Sequence, residues 1–150
     1  MEYRRRILPP VWFLLAVLLA IGLHYVMPIM RVVPAPWSYS GALLMVLGLA
    51  ISATGAGAFK RVGTPVVPFE PSTTLVTDGL YRFTRNPMYL GLVLALLGAA
   101  ILLGSLGALV PVPVFAWILQ TQFIKGEERF LEEIFGERYL AYQQRVRRWL

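Results

Sequence analysis

The chain of 150 residues has no cysteine and a single histidine, His24. Without thiols there is no disulfide framework, no thiolate zinc site and no cysteine nucleophile, and one imidazole excludes any metal site that needs two. No metal is therefore expected. Charge is also scarce: 15% of residues are charged and 57% hydrophobic, against about 25% charged in an ordinary soluble domain. That balance excludes a disordered tail and argues against a soluble enzyme. The missing charge is missing in blocks, since residues 7–30, 32–59 and 86–124 contain none. A net charge of +6 would raise the question of nucleic acid in a soluble protein, but its distribution here points to a membrane and to no nucleic-acid partner.

A membrane crossing needs about 20 apolar residues at about 1.5 Å each. The first two charge-free windows hold one helix apiece, at about 9–29 and 39–59, with Pro9 and Pro10 tolerated in the first turn and Pro28 marking the exit. The third, as one helix, would be about 58 Å long, nearly twice the hydrocarbon thickness of about 30 Å. It must fold back. Gly104-Ser105-Leu106-Gly107 is the turn best placed for that, giving a hairpin at about 87–104 and 107–124 whose second arm is interrupted by Pro111 and Pro113. The expected fold is all-α: one integral membrane domain over residues 1–150 with about four transmembrane helices and a cytoplasmic amphipathic C-terminal helix.

Basic residues in short flanks resist translocation. Arg4 to Arg6 precede the first helix, Lys60, Arg61, Arg82 and Arg85 separate the second from the third, and six more follow the fourth, leaving Arg31 alone on the other side. Both termini are expected in the cytoplasm, which places a bacterial chain in the inner membrane. The first helix reads as retained, because its apolar core is long and no small-residue cleavage pattern precedes Pro28. Nearly everything polar then lies in two cytoplasmic segments, 60–87 and 125–150, and chemistry is expected at that face.

The second of these begins with Glu127-Glu128 and continues with Phe130, Leu131, Ile134 and Phe135 at helical spacing, Arg129 being able to pair Glu132 and Glu133. Gly136 breaks the pattern. Tyr139, Tyr142, Val146 and Trp149 form a further stripe beside Arg145, Arg147 and Arg148, which suits the headgroups of an anionic leaflet. No helical neighbour of Glu127 carries a positive charge. Spacing alone leaves two readings of the acids: solvated first-turn residues favoured by the helix dipole, or acceptors for a polar or cationic ligand. The first segment runs from Thr64 to Pro71 as a proline-punctuated stretch, through Ser72-Thr73-Thr74-Leu75-Val76-Thr77 to the turn Asp78-Gly79, and on to the third helix, with Pro87 in its first turn. Exposed N–H groups there favour an anion; Arg82 and Arg85 serve equally as a topology signal. Gly55-Ala56-Gly57 fits close helix packing or the approach of a flat ligand, and His24 fits a hydrogen-bonded packing residue.

Together, Thr74 to Tyr81, Arg85-Asn86-Pro87-Met88-Tyr89-Leu90-Gly91, Glu127-Glu128 and Phe135-Gly136-Glu137-Arg138-Tyr139 with Tyr142 resemble the membrane methyltransferases of the isoprenylcysteine carboxyl methyltransferase and phospholipid N-methyltransferase group. The resemblance implies S-adenosylmethionine bound at the cytoplasmic helix ends and an acceptor entering from the bilayer: a phospholipid amine, an isoprenoid or another small apolar molecule. It makes Thr73, Thr74, Leu75 and Val76 the strip along the cofactor, Tyr81 the tyrosine after the turn, and Asn86, Pro87, Met88 and Tyr89 the counterpart of an Arg-His-Pro-x-Tyr motif. Glu127 becomes the acid for the cofactor's amino end, and Gly55 with Gly57 a possible Gly-x-Gly match. Arg85 and Glu128 are assigned to the catalytic centre, Glu128 as proton acceptor for an amine. Asn86 replaces the motif's usual histidine, and Phe123 stands where the prenylcysteine enzymes carry an arginine for the substrate carboxylate. Two rivals share the broad pattern: an NADPH-dependent membrane reductase of the sterol type, and a non-enzymatic scaffold or transporter.

Overall fold

The computed structural model describes residues 7–68 and 70–150, so Arg4 to Arg6, on which part of the topology reading rests, lie outside the described residues. Among those residues the chain is helical and has no strand, only two isolated bridges, Arg31 with Ser105 and Thr84 with Arg147. The helices are α1 (Pro9–Val26), α2 (Ser40–Arg61), α3 (Pro87–Leu103), α4 (Leu106–Leu109), α5 (Pro111–Ile118), α6 (Lys125–Phe135) and α7 (Glu137–Arg145), with a π-helical stretch, Leu119–Ile124, joining α5 to α6. Prolines open α1, α3 and α5, where their missing N–H has no intrahelical partner to lose.

The turn expected at Gly104 is there. Gly104 ends α3 at φ 78°, a left-handed conformation that glycine adopts without steric cost, and the Ser105 hydroxyl caps α4 by accepting from the Ala108 nitrogen at 3.3 Å. The α1–α2 connection packs on this turn: Val32 nitrogen donates to the Gly104 carbonyl at 2.8 Å and Leu106 nitrogen to that of Met30 at 2.9 Å. His24 Nδ1 lies 2.9 Å from Ser105 Oγ, the hydrogen-bonded packing role expected of it.

One boundary differs from expectation. No break at 124 separates a fourth span from a new helix, because the path from Leu106 to Phe135 is helical for 30 residues. Apolarity ends at Lys125 while the backbone stays helical as far as Gly136, at φ 52°. Glu127 and Glu128 therefore do not sit in the free first turn of a separate helix, and the macrodipole account of them fails.

Pro9–Val26, Trp37–Arg61 and Leu106–Phe135 are long and apolar enough to cross a membrane, and α3 is a shorter apolar helix. Leu18, Leu43 and Trp117 are each about two-thirds exposed, an outward apolar surface that hydrocarbon covers at no cost. Between α2 and α3 the contact is backbone to backbone. Gly41, Gly48 and Gly55, seven residues apart, face Gly98, Gly91 and Met88, and a Cβ on Gly91 would lie 2.5 Å from the Gly48 carbonyl oxygen. Small residues permit this approach, which is how helices gain contact where lipid removes the hydrophobic drive. The seam fixes the start of α3 against the end of α2, at the end of the bundle where residues 62–86, α6, α7 and the C-terminal tail gather.

Candidate functional site

The polar end is built around two tyrosines. Tyr142 donates its hydroxyl to the Tyr81 carbonyl at 2.6 Å, and the Tyr81 ring meets Phe59 edge-on with centroids 5.5 Å apart. With Tyr139 and Val146 they form a buried cluster that docks α7 on the turn before α3. Burial pushes the Tyr139 hydroxyl up to about 12, and Tyr81 and Tyr142 are raised further, again chiefly by burial. All three stay protonated at neutral pH. Thr64 Oγ1 accepts from the Thr73 nitrogen at 3.0 Å and lies 3.3 Å from the Thr73 hydroxyl. That clip folds the proline-punctuated stretch back on itself.

The tail then crosses the start of α3. Arg85 nitrogen donates to the Arg147 carbonyl at 2.9 Å, while Thr84 Oγ1 and Asn86 Nδ2 both donate to the Arg148 carbonyl, at 3.2 and 2.9 Å. Arg85 Nη1 reaches the carbonyls of Gln143 and Val146 at 3.1 and 2.9 Å, and Trp149 Nε1 donates to Gln120 Oε1 at 2.8 Å. Glu128 is clamped from two sides: Arg85 Nη2 lies 2.8 Å from Oε1, and Arg148 contributes Nε at 3.0 Å and Nη2 at 2.7 Å. The same hydrogen bonds hold the Arg148 guanidinium above its ordinary range.

Glu127 is treated differently. The Tyr89 hydroxyl donates to its Oε1 at 2.6 Å, and among the described residues both ion pairs end on Glu128 and none on Glu127. One acid is neutralised twice over and its neighbour not at all.

Both acids face a cleft that encloses about 820 Å³ not filled by protein atoms, its open mouth included. Thr74, Leu75, Val76, Tyr81, Arg85, Asn86, Met88, Tyr89, Glu127 and Glu128 line it, so most of the residues expected at the site converge. Four do not line it. Thr73 is spent on Thr64, and Pro87 packs beneath Met88 against Gly55, where an added Cβ would lie 2.9 Å from Met88 Cγ and 3.3 Å from Pro87 Cγ. Gly55 is thus a helix-packing glycine. Gly57 has nothing within 4 Å of an added Cβ and stands outside the lining. Arg85 and Glu128 border the cleft, but the Glu128 carboxylate is engaged by Arg85 on Oε1 and by the Arg148 fork on both oxygens, an arrangement that suits an anchor for the tail better than a proton acceptor.

Phe59, Pro65 to Pro68, Glu70, Ser72, Phe130, Leu131, Tyr139 and Tyr142 also line the cleft and were not singled out as site residues. The proline spacing signals an ordered stretch without signalling what it faces, and Tyr139 and Tyr142 enter the sequence reading as an apolar stripe and as part of the family motif, with no site role attached. The sequence pattern groups Arg148 with membrane-anchoring arginines, but its guanidinium lies on Glu128.

Residues 37–138 match the family model described as phospholipid methyltransferase. A probable protein-S-isoprenylcysteine O-methyltransferase of Oryza sativa subsp. japonica is 30% identical over 111 residues, 73% of this chain and 58% of that protein. Protein-S-isoprenylcysteine O-methyltransferases of Schizosaccharomyces pombe and Saccharomyces cerevisiae are 36% identical over 72 residues and 31% over 111. These cover 48% and 71% of this chain, and 30% and 45% of the yeast proteins. The chain spans little more than half the length of the rice relative and less of the other two.

Proposed function

We propose that this chain, which belongs to the phospholipid methyltransferase family, carries out S-adenosylmethionine-dependent methyl transfer to a lipid-soluble acceptor at the cytoplasmic membrane face. The observation that carries the reading is Glu127, a carboxylate facing the cleft with a tyrosine hydroxyl for a partner and, among the described residues, no cation. An ammonium group is the partner such a carboxylate lacks.

The rest of the cleft fits the same ligand. Asn86 does not cap α3, so the helix begins without a side-chain cap, and its first N–H groups, at Met88 and Tyr89, suit a carboxylate. An amino acid end would lie between Glu127 and that helix terminus. Tyr81 and Tyr89 supply flat walls, and the extended strip Thr74 to Val76 supplies backbone groups for an adenosine. Bound there, the cofactor supplies an electrophilic sulfonium methyl.

Displacement at such a methyl disperses charge, so the protein's task is to align the acceptor and exclude water. Glu127 and the α3 terminus hold one end of the ligand, and the buried tyrosine cluster keeps the wall beside it dry. Phe123 is buried and packs against Tyr89, with ring centroids 6.2 Å apart. No cation stands at that position to meet a substrate carboxylate, which favours a phospholipid amine or another apolar acceptor over a prenylcysteine. Residues 1–150 act in this reading as one membrane-embedded domain with both termini cytoplasmic, in the inner membrane if the cell is bacterial. The cleft shares its end of the bundle with Lys60, Arg61, Arg82 and Arg85, while Arg31 packs at the hairpin end, the asymmetry expected of cytoplasmic flanks.

The test is calorimetric titration of the detergent-purified chain with S-adenosylmethionine, with its demethylated product and with NADPH, followed by transfer of a labelled methyl group to added lipids. Saturable binding of the first two alone supports the reading. NADPH binding alone would indicate a reductase, and a folded protein that binds none of the three would be a scaffold or transporter.

A further inference from the structure

We infer that Arg148 is a positioning residue that keeps the α3 end of the cleft open for the carboxylate of its ligand; this rests on the methyl-donor reading above. The argument starts from Asn86. An asparagine immediately before a helix normally turns its side chain back to cap the first N–H groups. Here Asn86 Nδ2 donates instead to the Arg148 carbonyl at 2.9 Å, shared with Thr84 Oγ1 at 3.2 Å, and α3 has no side-chain cap.

The carbonyl that draws Asn86 away is itself fixed. The Arg148 guanidinium makes a forked contact with Glu128, Nε at 3.0 Å from Oε1 and Nη2 at 2.7 Å from Oε2. Glu128 in turn is buried and held by Arg85 at 2.8 Å. Side chain and main chain of one residue thus act on two parts of the site: the fork anchors the tail to α6, and the anchored carbonyl holds the Asn86 amide off the helix terminus. Lysine cannot reproduce a two-point fork. Once the fork is lost, Arg85 and Trp149 still hold the tail on either side, but the carbonyl of residue 148 loses its own side-chain anchor, and Asn86 is released to occupy the N–H groups that the ligand carboxylate needs.

The experiment compares wild type, Arg148→Gln and the double variant Glu128→Gln/Arg148→Gln, each as the full chain in detergent. Each is titrated with S-adenosylmethionine and with its decarboxylated analogue, and thermal unfolding is followed in parallel. Expected for Arg148→Gln is a loss of at least tenfold in affinity for the intact ligand and of less than threefold for the analogue. The double variant should show the same selective loss for the intact ligand, because both substitutions remove the Arg148–Glu128 fork. Should Arg148→Gln fail to fold, the double variant, which leaves no buried carboxylate half-paired, carries the same comparison. Equal losses for the two ligands, or no loss, overturn the inference while leaving the methyl-donor reading intact. A wild-type chain that binds neither ligand overturns both.

Discussion

Glu127→Gln is the substitution that isolates the charge on which the functional reading depends. Glutamine keeps the length and shape of glutamate, and its amide oxygen can still accept from the Tyr89 hydroxyl now 2.6 Å from the carboxylate, so packing and the local hydrogen bond survive. What disappears is the negative charge. A hydrogen bond to a charged group contributes about 1.5–3 kcal/mol, and each 1.4 kcal/mol is tenfold in affinity, so the dissociation constant for S-adenosylmethionine should rise roughly 10- to 150-fold. Glu128 cannot compensate, because Arg85 and Arg148 occupy both its oxygens. Calorimetry with the donor and with its demethylated product makes the test sharper. Both carry the ammonium and only the donor carries the sulfonium charge, so a carboxylate that grips the ammonium should weaken both by about the same factor. A loss confined to the donor would place Glu127 against the sulfonium instead. A fall of less than threefold for both, in a protein that unfolds at the wild-type temperature, would refute the assignment.

Two further outcomes follow from the packing and the buried tyrosines. Gly48→Val should destabilise the chain by about 1–3 kcal/mol or more, since an added Cβ overlaps the backbone of Gly91 and Ala95 and overpacking cannot be relieved by a side chain; Gly57→Ala, in open space, should leave thermal unfolding and cofactor affinity near wild type, and a marked loss of affinity would restore the Gly-x-Gly reading. At alkaline pH the Tyr139 hydroxyl titrates near 12 when folded, with Tyr81 and Tyr142 above it, against about 10 in the unfolded chain. The unfolded state therefore loses protons first. Stability from these groups is fully present below about pH 10 and is lost progressively as the pH rises beyond it, to be read as a falling unfolding temperature.

The helices were legible because each rests on a local rule: charge-free windows mark spans, prolines mark helix starts, and the glycine at 104 marks a reversal; the strip at 74–76 and the residues at 86–89 were legible only through the family resemblance. Glu127 stood out by a local rule as well, as an acid without a cation at any helical neighbour. The role of its neighbour was not legible. Glu128 pairs across 43 residues to Arg85 and across 20 to Arg148, and no periodicity encodes a contact between a loop, a helix and a chain end. Arginine beside tryptophan near the end of a membrane chain satisfies the headgroup rule whether or not its guanidinium turns inward, so the pattern at 145–149 had one local meaning and a different tertiary one. The glycines show the same limit in reverse. Gly55 and Gly57 read alike as a pair, yet a seven-residue register with Gly41 and Gly48 assigns the first to the α2–α3 seam and leaves the second outside it. Register along the whole helix, more than the local dipeptide, carried that information, and it places the start of α3, and with it Asn86 and Tyr89, at the floor of the cleft.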